Sequence, residues 1–481
     1  MIRLSLCMIT RDEEALLPGC LASVRGVVDE IIVVDTGSID STVALARAAS
    51  AQVIEVPWED DFSAARNASI AAATGDWILI LDADERLAPG AGAAIRRAIK
   101  AETETKTETE TETKAPDATF DCGMLPLHNA ADAAASPADV LRGAARLGEP
   151  RSLPRLLRRE GDLRYTGRVH ESVIGWLRER GTRLAFIDAD ILHLGSTAEI
   201  RARRGKSERN IALLERLVVE RPGDVTAHGY LAHELLERGS VDDAGAVVAR
   251  AWALLQRGDA GQASVLHLAT TRARLGLRAR SFRSVLDTVT LAERFEGPHP
   301  DLDFLRGTAL EMQAATTPSG AARTDLLEAA LTAYRAALAK RGTRYSETFV
   351  EGAMSWASHT RAGAVLLQLG LPDVARAHFE AALAHRVDHR EARLGVIECR
   401  LDLGEAGEVL SAVEPLLDDR PDAWLLTAAA LHKLGLHRDC ASFLAQARRR
   451  ADGGFVSPHR RERHVALHLA LAADLGIVAP A

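Results

Sequence analysis

The residues able to do chemistry stand at the ends of apolar runs. Trp77-Ile78-Leu79-Ile80-Leu81 leads straight into Asp82, Asp84 and Glu85. On an extended chain side chains alternate with a period of two, so Asp82 and Asp84 are expected on one side. Two carboxylates that close repel each other unless a cation lies between them, and a hard divalent ion carrying phosphate oxygens suits that gap. The alternative is a solvated strand end followed by a capped helix. A second acid, Asp35, ends the run Val33-Val34 and is followed by Thr36-Gly37-Ser38, a turn-and-cap pattern. Further along stand His170-Glu171 and, between apolar neighbours, His193. The zinc-protease spacing H-E-x-x-H fails, because position 174 is Ile. A histidine between Leu192 and Leu194 also has an ordinary reading, as a satisfied core or edge residue.

These side chains need a scaffold, and the first hundred residues spell one. Strand patterns at Leu4–Ile9, Glu30–Asp35, Ala51–Val56 and Trp77–Asp82 alternate with helix patterns at Glu13–Val24, Asp40–Ala49 and Asp61–Ala73. Such alternation with short connections predicts a parallel sheet covered by helices, with Asp35 and Asp82 at its carboxyl edge. The Gly-rich fingerprints of dinucleotide and P-loop sites are missing. Phe120–Leu127 reads as a further strand and 129–150 as a variable loop. Residues 101–117 open with an alternating Glu-Thr run that has no apolar face, and are expected to be a disordered insertion.

From residue 206 the pattern is helical. Gly239, Ala244, Val248 and Ala251 are spaced by 5, 4 and 3, and the spacing recurs at Gly370, Ala375, Phe379, Ala382 and at Gly435, Cys440, Leu444, Ala447. Gly404 follows Gly370 at the tetratricopeptide period, and Gly276 looks like a weaker copy. Stacked helix pairs would form one continuous core and a concave surface. The expected division is residues 1–205 for the α/β domain and 206–475 for the repeats.

Four blocks occur in order: Leu6-Cys7-Met8-Ile9-Thr10-Arg11-Asp12-Glu13-Glu14, Val34-Asp35-Thr36-Gly37-Ser38, Asp61-Phe62-Ser63-Ala64-Ala65-Arg66-Asn67 and Leu81-Asp82-Ala83-Asp84-Glu85. Together they resemble the family 2 glycosyltransferases, in the bacterial branch with tetratricopeptide repeats that includes bacteriocin S-glycosyltransferases. The resemblance implies a GT-A fold, a nucleoside-diphosphate sugar donor (a UDP-sugar first), and inverting transfer. It implies that Asp12, Glu13, Asp35, Arg66, Asn67 and Asp82 bind the donor. Asp84 and His193 would hold Mn²⁺ or Mg²⁺, and Glu171, with His170 as rival, would be the catalytic base. Arg66 and Asn67 have a second reading, in which they only fasten the third helix to the sheet.

A formal charge of −8 over 481 residues gives no sign of a nucleic-acid surface. Five scattered cysteines form no C-x-x-C pair and imply neither a disulfide framework nor a zinc site. With no apolar run long enough to span a bilayer, a cytoplasmic location is expected. The expected acceptor is a peptide, protein or glycan, and the repeats could also join copies of the chain. The alternatives are an inactive transferase domain serving as an interaction scaffold, and a sugar nucleotidyltransferase.

Overall fold

The computed structural model describes residues 2–109, 120–195, 197, 206–258, 264–345, 347–417, 421–450 and 461–477. The chain forms two compact units. The first comprises Met1–Ala263 with Arg344–Thr348, and the second Ser264–Thr343 with Phe349–Ala481.

In the first unit, β1 (Leu4–Thr10), β2 (Glu30–Asp35), β3 (Gln52–Glu55) and β4 (Trp77–Ile80) pair in parallel, joined by α1 (Leu17–Ser23), α2 (Thr42–Ala48) and α3 (Phe62–Ala72). β1, β2 and β4 are largely apolar and buried, as a sheet covered on both sides requires, while the edge strand β3 is half-exposed. Asp61 caps α3 by accepting the Ala64 N–H.

Beyond β4 the expected parallel sheet becomes mixed. It gains β5 (Glu85–Leu87), β6 (Cys122–Ala130), β7 (Arg146–Arg158), β8 (Leu184–Phe186) and β9 (Ile191–His193). The order is β3-β2-β1-β4-β7-β6-β9-β5, with β8 beside β6. β7 runs antiparallel to both β4 and β6, and β5 antiparallel to β9. Much of the expected loop at 129–150 is therefore the end of β6, a short helix α5 (Pro137–Arg142) and the start of β7.

The expected disorder at 101–117 also needs correction. α4 (Ala91–Thr109) continues through residues 101–109, while 110–117 lie outside the described residues. Ile95 and Ile99 anchor this helix in the core, so the costly nucleus is already formed when the Glu-Thr run begins. Glu102 is itself buried and ion-paired with Arg158. A short helix, α6 (Ile174–Glu179), precedes β8. The unit also includes α7 (Lys206–Glu220), α8 (Val225–Glu237) and α9 (Val241–Arg257).

The second unit is helical throughout: α10 (Leu266–Arg278), α11 (Phe282–Glu296), α12 (Pro300–Ala314), α13 (Ala321–Ala339), α14 (Trp356–Gln368), α15 (Pro372–His385), α16 (Arg390–Asp402), α17 (Ala406–Val413), α18 (Pro421–Lys433), α19 (His437–Arg450) and α20 (Arg461–Asp474). Gly370, Gly404 and Gly435 take φ of 75°, 85° and 77° between paired helices, the left-handed turn that glycine adopts without a Cβ penalty. Gly276 is not such a turn. It lies within α10 against Val285, and Arg280, at φ 54°, makes the turn instead. Counting 5, 4 and 3 onward from Arg280 gives Val285, Val289 and Ala292, all buried.

Candidate active site

Asp82 and Asp84 do not share a strand face. β4 ends at Ile80, and a turn closed by the Glu85 N–H on the Asp82 carbonyl (2.9 Å) sends the two side chains to different partners. Asp82 turns toward arginines. Its Oδ1 accepts from Arg66 Nη2 at 2.8 Å, and its Oδ2 lies 3.6 Å from Arg155 Nη2. The cation expected between carboxylates is supplied here by side chains.

Arg66 is the centre of this arrangement. The same Nη2 reaches Glu171 Oε1 at 2.9 Å, 105 residues beyond Arg66, so one buried guanidinium joins the end of β4 to a distant loop. Burial opposes the guanidinium charge, but Asp82 and Glu171 more than offset it and raise the Arg66 pKa. Burial pushes Asp82 upward too, yet Arg66 and Arg155 hold its carboxyl below the usual range. Arg155, on β7, also binds Glu85, whose Oε2 accepts the Asp82 N–H at 3.0 Å. Burial drives the Glu85 carboxyl up to about 7 against the pull of Arg155. Arg155, Glu85 and Tyr165 were not anticipated as site residues. An arginine near the end of β7 carries no local motif, and only the strand order brings it beside Asp82.

Asn67 fastens the opposite wall. Its amide donates to the Tyr165 carbonyl (2.9 Å) and accepts the Tyr165 N–H (2.8 Å). That two-point bond holds the segment leading to the 166–172 loop, itself closed by reciprocal Thr166–Ser172 hydrogen bonds at 3.0 and 2.9 Å. Glu171 rides on this loop with a mostly buried side chain, and only its Oε1 is engaged among the described residues. Neighbouring His170 is held at φ 53° and stacks on the Tyr230 ring at 4.2 Å between centroids.

Asp84 meets His193 instead of Asp82. His193 Nδ1 faces Asn129 Oδ1 at 2.8 Å, which puts the proton on Nδ1 and leaves Nε2 facing Asp84 Oδ2 at 3.6 Å. Gly195 completes the cradle: a Cβ there would stand 1.9 Å from Asp84 Oδ2 and 3.0 Å from His193 Nε2. A carboxylate, an oriented imidazole and a clear approach fit a divalent ion that keeps its other positions for water and phosphate oxygens. Among the described residues no group of three His, Cys, Asp or Glu converges on one metal position.

At the other side of the edge, Asp35 is saturated. Its Oδ1 accepts the Gly37 and Ser38 N–H groups, and its Oδ2 the Thr10 and Ser38 hydroxyls, at 2.5–3.0 Å. It shapes the 36–38 turn. Asp12, at φ 54°, accepts the Ile39 N–H at 2.8 Å and donates its own N–H to Ser38 Oγ, while the Glu13 N–H bonds Thr42 Oγ1 at 2.7 Å. The two loops at this end of the sheet are thus laced together.

Residues 5–104, which carry Asp12 through Glu85, match the family model Glycosyl transferase family 2. The N-terminal unit carries a family 2 glycosyl transferase domain. A TPR repeat-containing protein of Synechococcus elongatus is 38% identical over 249 residues, 50% of this chain and 54% of that one. The SPbeta prophage-derived glycosyltransferase SunS of Bacillus subtilis is 38% identical over 79 residues, 16% of this chain and 19% of SunS. The chain spans about half the length of the first of these relatives and a smaller share of the second. The helical region matches the solved structure of YrrB, a TPR protein, at 15% identity and a TM-score of 0.32, over 46% of this chain and 96% of that one. Among the described residues no helix is long and apolar enough to cross a membrane.

Proposed function

We propose that this protein moves a sugar, with inversion, from a nucleoside-diphosphate sugar to a nucleophile on a peptide, protein or glycan, in a reaction that requires Mn²⁺ or Mg²⁺. The observation that carries the reading is the Arg66 clamp. It holds Glu171 by one oxygen beside Asp82 and leaves Oε2 without a protein partner among the described residues. In an inverting transfer the bond from acceptor to anomeric carbon forms as the bond to the diphosphate oxygen breaks, and Glu171 Oε2 takes the acceptor's proton. Asp84 and His193 would hold the divalent cation, which when bound would neutralise charge on the leaving diphosphate. Asp82, fixed by Arg66 and Arg155, serves as an anchored acceptor for donor hydroxyls. Asp35, Asp12 and Glu13 act through the laced loops that would receive the nucleoside. The helical repeats supply acceptor binding or join copies of the chain.

Glu171→Gln tests the assignment. With a UDP-sugar and acceptor, turnover should fall ~10²–10⁴-fold, the usual contribution of a general base, with donor affinity little changed. Near-normal turnover in Glu171→Gln beside an inactive His170→Gln would transfer the role to His170. Release of inorganic diphosphate instead of a nucleoside diphosphate would replace this reading with nucleotidyl transfer.

A further inference from the structure

The β5–β9 ribbon has a second face. Glu85 pairs with His193 on the side of the acidic cluster, so Arg86 and its partner Leu192 point the opposite way. On that reverse side lies a cavity of about 470 Å³. Val27, Ala88, Ala135, Leu192 and Leu194 give it apolar walls, and among the described residues its lining contains one charged side chain, Arg86. Among the described residues the half-buried Arg86 side chain makes no hydrogen bond or ion pair. Its guanidinium lies flat against α1, in space that any side chain at Gly19 would fill, since a Cβ there would sit 2.5 Å from Arg86 Cζ. Among the described residues no acid lines the cavity to neutralise the charge. The first turn of α4, also without an acidic residue, borders the same space and adds the positive end of a helix dipole.

A guanidinium held without a counter-ion against apolar walls matches one ligand chemistry. We propose that this cavity binds an amphipathic organic anion, with its carboxylate or phosphate head on Arg86 and a short aliphatic body against Leu192, Leu194 and Ala135. The volume lies within the range of small-molecule sites, and a bidentate head group would satisfy the planar donors. The inference rests on the cavity alone and stands whether or not the face bearing the acidic cluster transfers sugar.

Titration calorimetry on the full chain, with octanoate, octyl phosphate and uncharged octan-1-ol as probes, provides the test. Saturable binding of at least one anion is expected, with octan-1-ol weaker by about tenfold or more. Arg86→Gln should weaken the anion by a similar factor, Arg86→Lys should restore most of it, and Ala135→Phe should block the apolar walls. A preference for octyl phosphate would identify a phosphate-headed ligand, and a preference for octanoate a carboxylate. Absence of saturable binding by the unmodified protein, equal binding of octan-1-ol, or unchanged affinity in Arg86→Gln would overturn the proposal. Circular dichroism of each variant separates lost binding from lost fold.

Discussion

Replacing Arg66 with Met should loosen the first unit by an amount that depends on pH. Arg66 is 3% exposed and bonds Asp82 and Glu171 at 2.8 and 2.9 Å; the Glu171 side chain is mostly buried, while that of Asp82 is 37% exposed, so solvent screens part of its charge and discounts the pair. Removing one partner of a buried pair strands the other charge and costs about 3–5 kcal/mol. Arg155, 3.6 Å from Asp82, still offsets part of the stranded charge, which argues for the lower end of that range. Two separate units make a single global unfolding transition the wrong readout. Amide hydrogen exchange along α3 reports the local opening instead, and about 3 kcal/mol corresponds to roughly a hundredfold loss of protection. The pH dependence follows from Asp82, whose folded pKa lies below its unfolded value. Its contribution is present above the unfolded value near 3.8 and is lost as pH falls through the lower folded value. The gap between wild type and Arg66→Met should thus be widest near neutral pH and shrink in acid. Asp82→Asn in the Arg66→Met background should recover part of the loss. A change in protection under threefold at pH 7, or a gap that does not narrow in acid, would refute the account of Arg66 as a buried counter-ion.

Gly195→Ala should abolish Mn²⁺ binding measured by electron paramagnetic resonance while leaving the far-ultraviolet spectrum intact, because the new methyl occupies the Asp84–His193 cradle. In the second unit, burial raises Asp301 to about 7 even though its oxygens accept the Phe349 and Val350 N–H groups. Its folded pKa exceeds its unfolded one, so stability should decline as pH rises from about 4 to about 7, and Asp301→Asn should flatten that slope in denaturant melts. Glu102→Ala should lower protection along α4 only a few-fold, since the half-buried Arg158 loses one partner but keeps Asp121; unaltered exchange would show the pair to be dispensable.

The parallel half of the sheet was legible because β1, β2 and β4 are largely buried apolar runs and Asp61 caps α3. β2 occupies Glu30–Asp35, the range expected from its pattern. The antiparallel half was not, because the pairing of β7 with β4 and of β5 with β9 joins segments far apart in sequence. For the same reason Arg155 escaped notice, and Glu85 was seen but given no role. Alternation placed Asp82 and Asp84 on one face, and a single turn after Ile80 parted them. Asn67 was read as a donor residue or a fastener of α3 to the sheet; both ends of its amide bond Tyr165, in the segment after β7, a partner that neither reading named. In the repeats, Gly239, Gly370, Gly404 and Gly435 marked turns correctly, but the turn expected at Gly276 falls on Arg280. A non-glycine residue in a left-handed turn leaves no signature that composition can reveal.

The first unit is not a contiguous stretch of chain. The chain leaves it at Ala263 and returns at Arg344, where the Tyr345 carbonyl accepts the Ser152 N–H at 3.0 Å and Glu347 accepts the Tyr230 hydroxyl at 2.8 Å. During synthesis a ribosome must therefore deliver Ser264–Thr343 before β7 and α8 can acquire these partners. Until then the nascent sheet unit waits with an unpaired Ser152 N–H on β7. A chaperone or an early-folding α10–α13 segment would bear on its yield, and a fragment cut at residue 263 would stay at that unfinished stage.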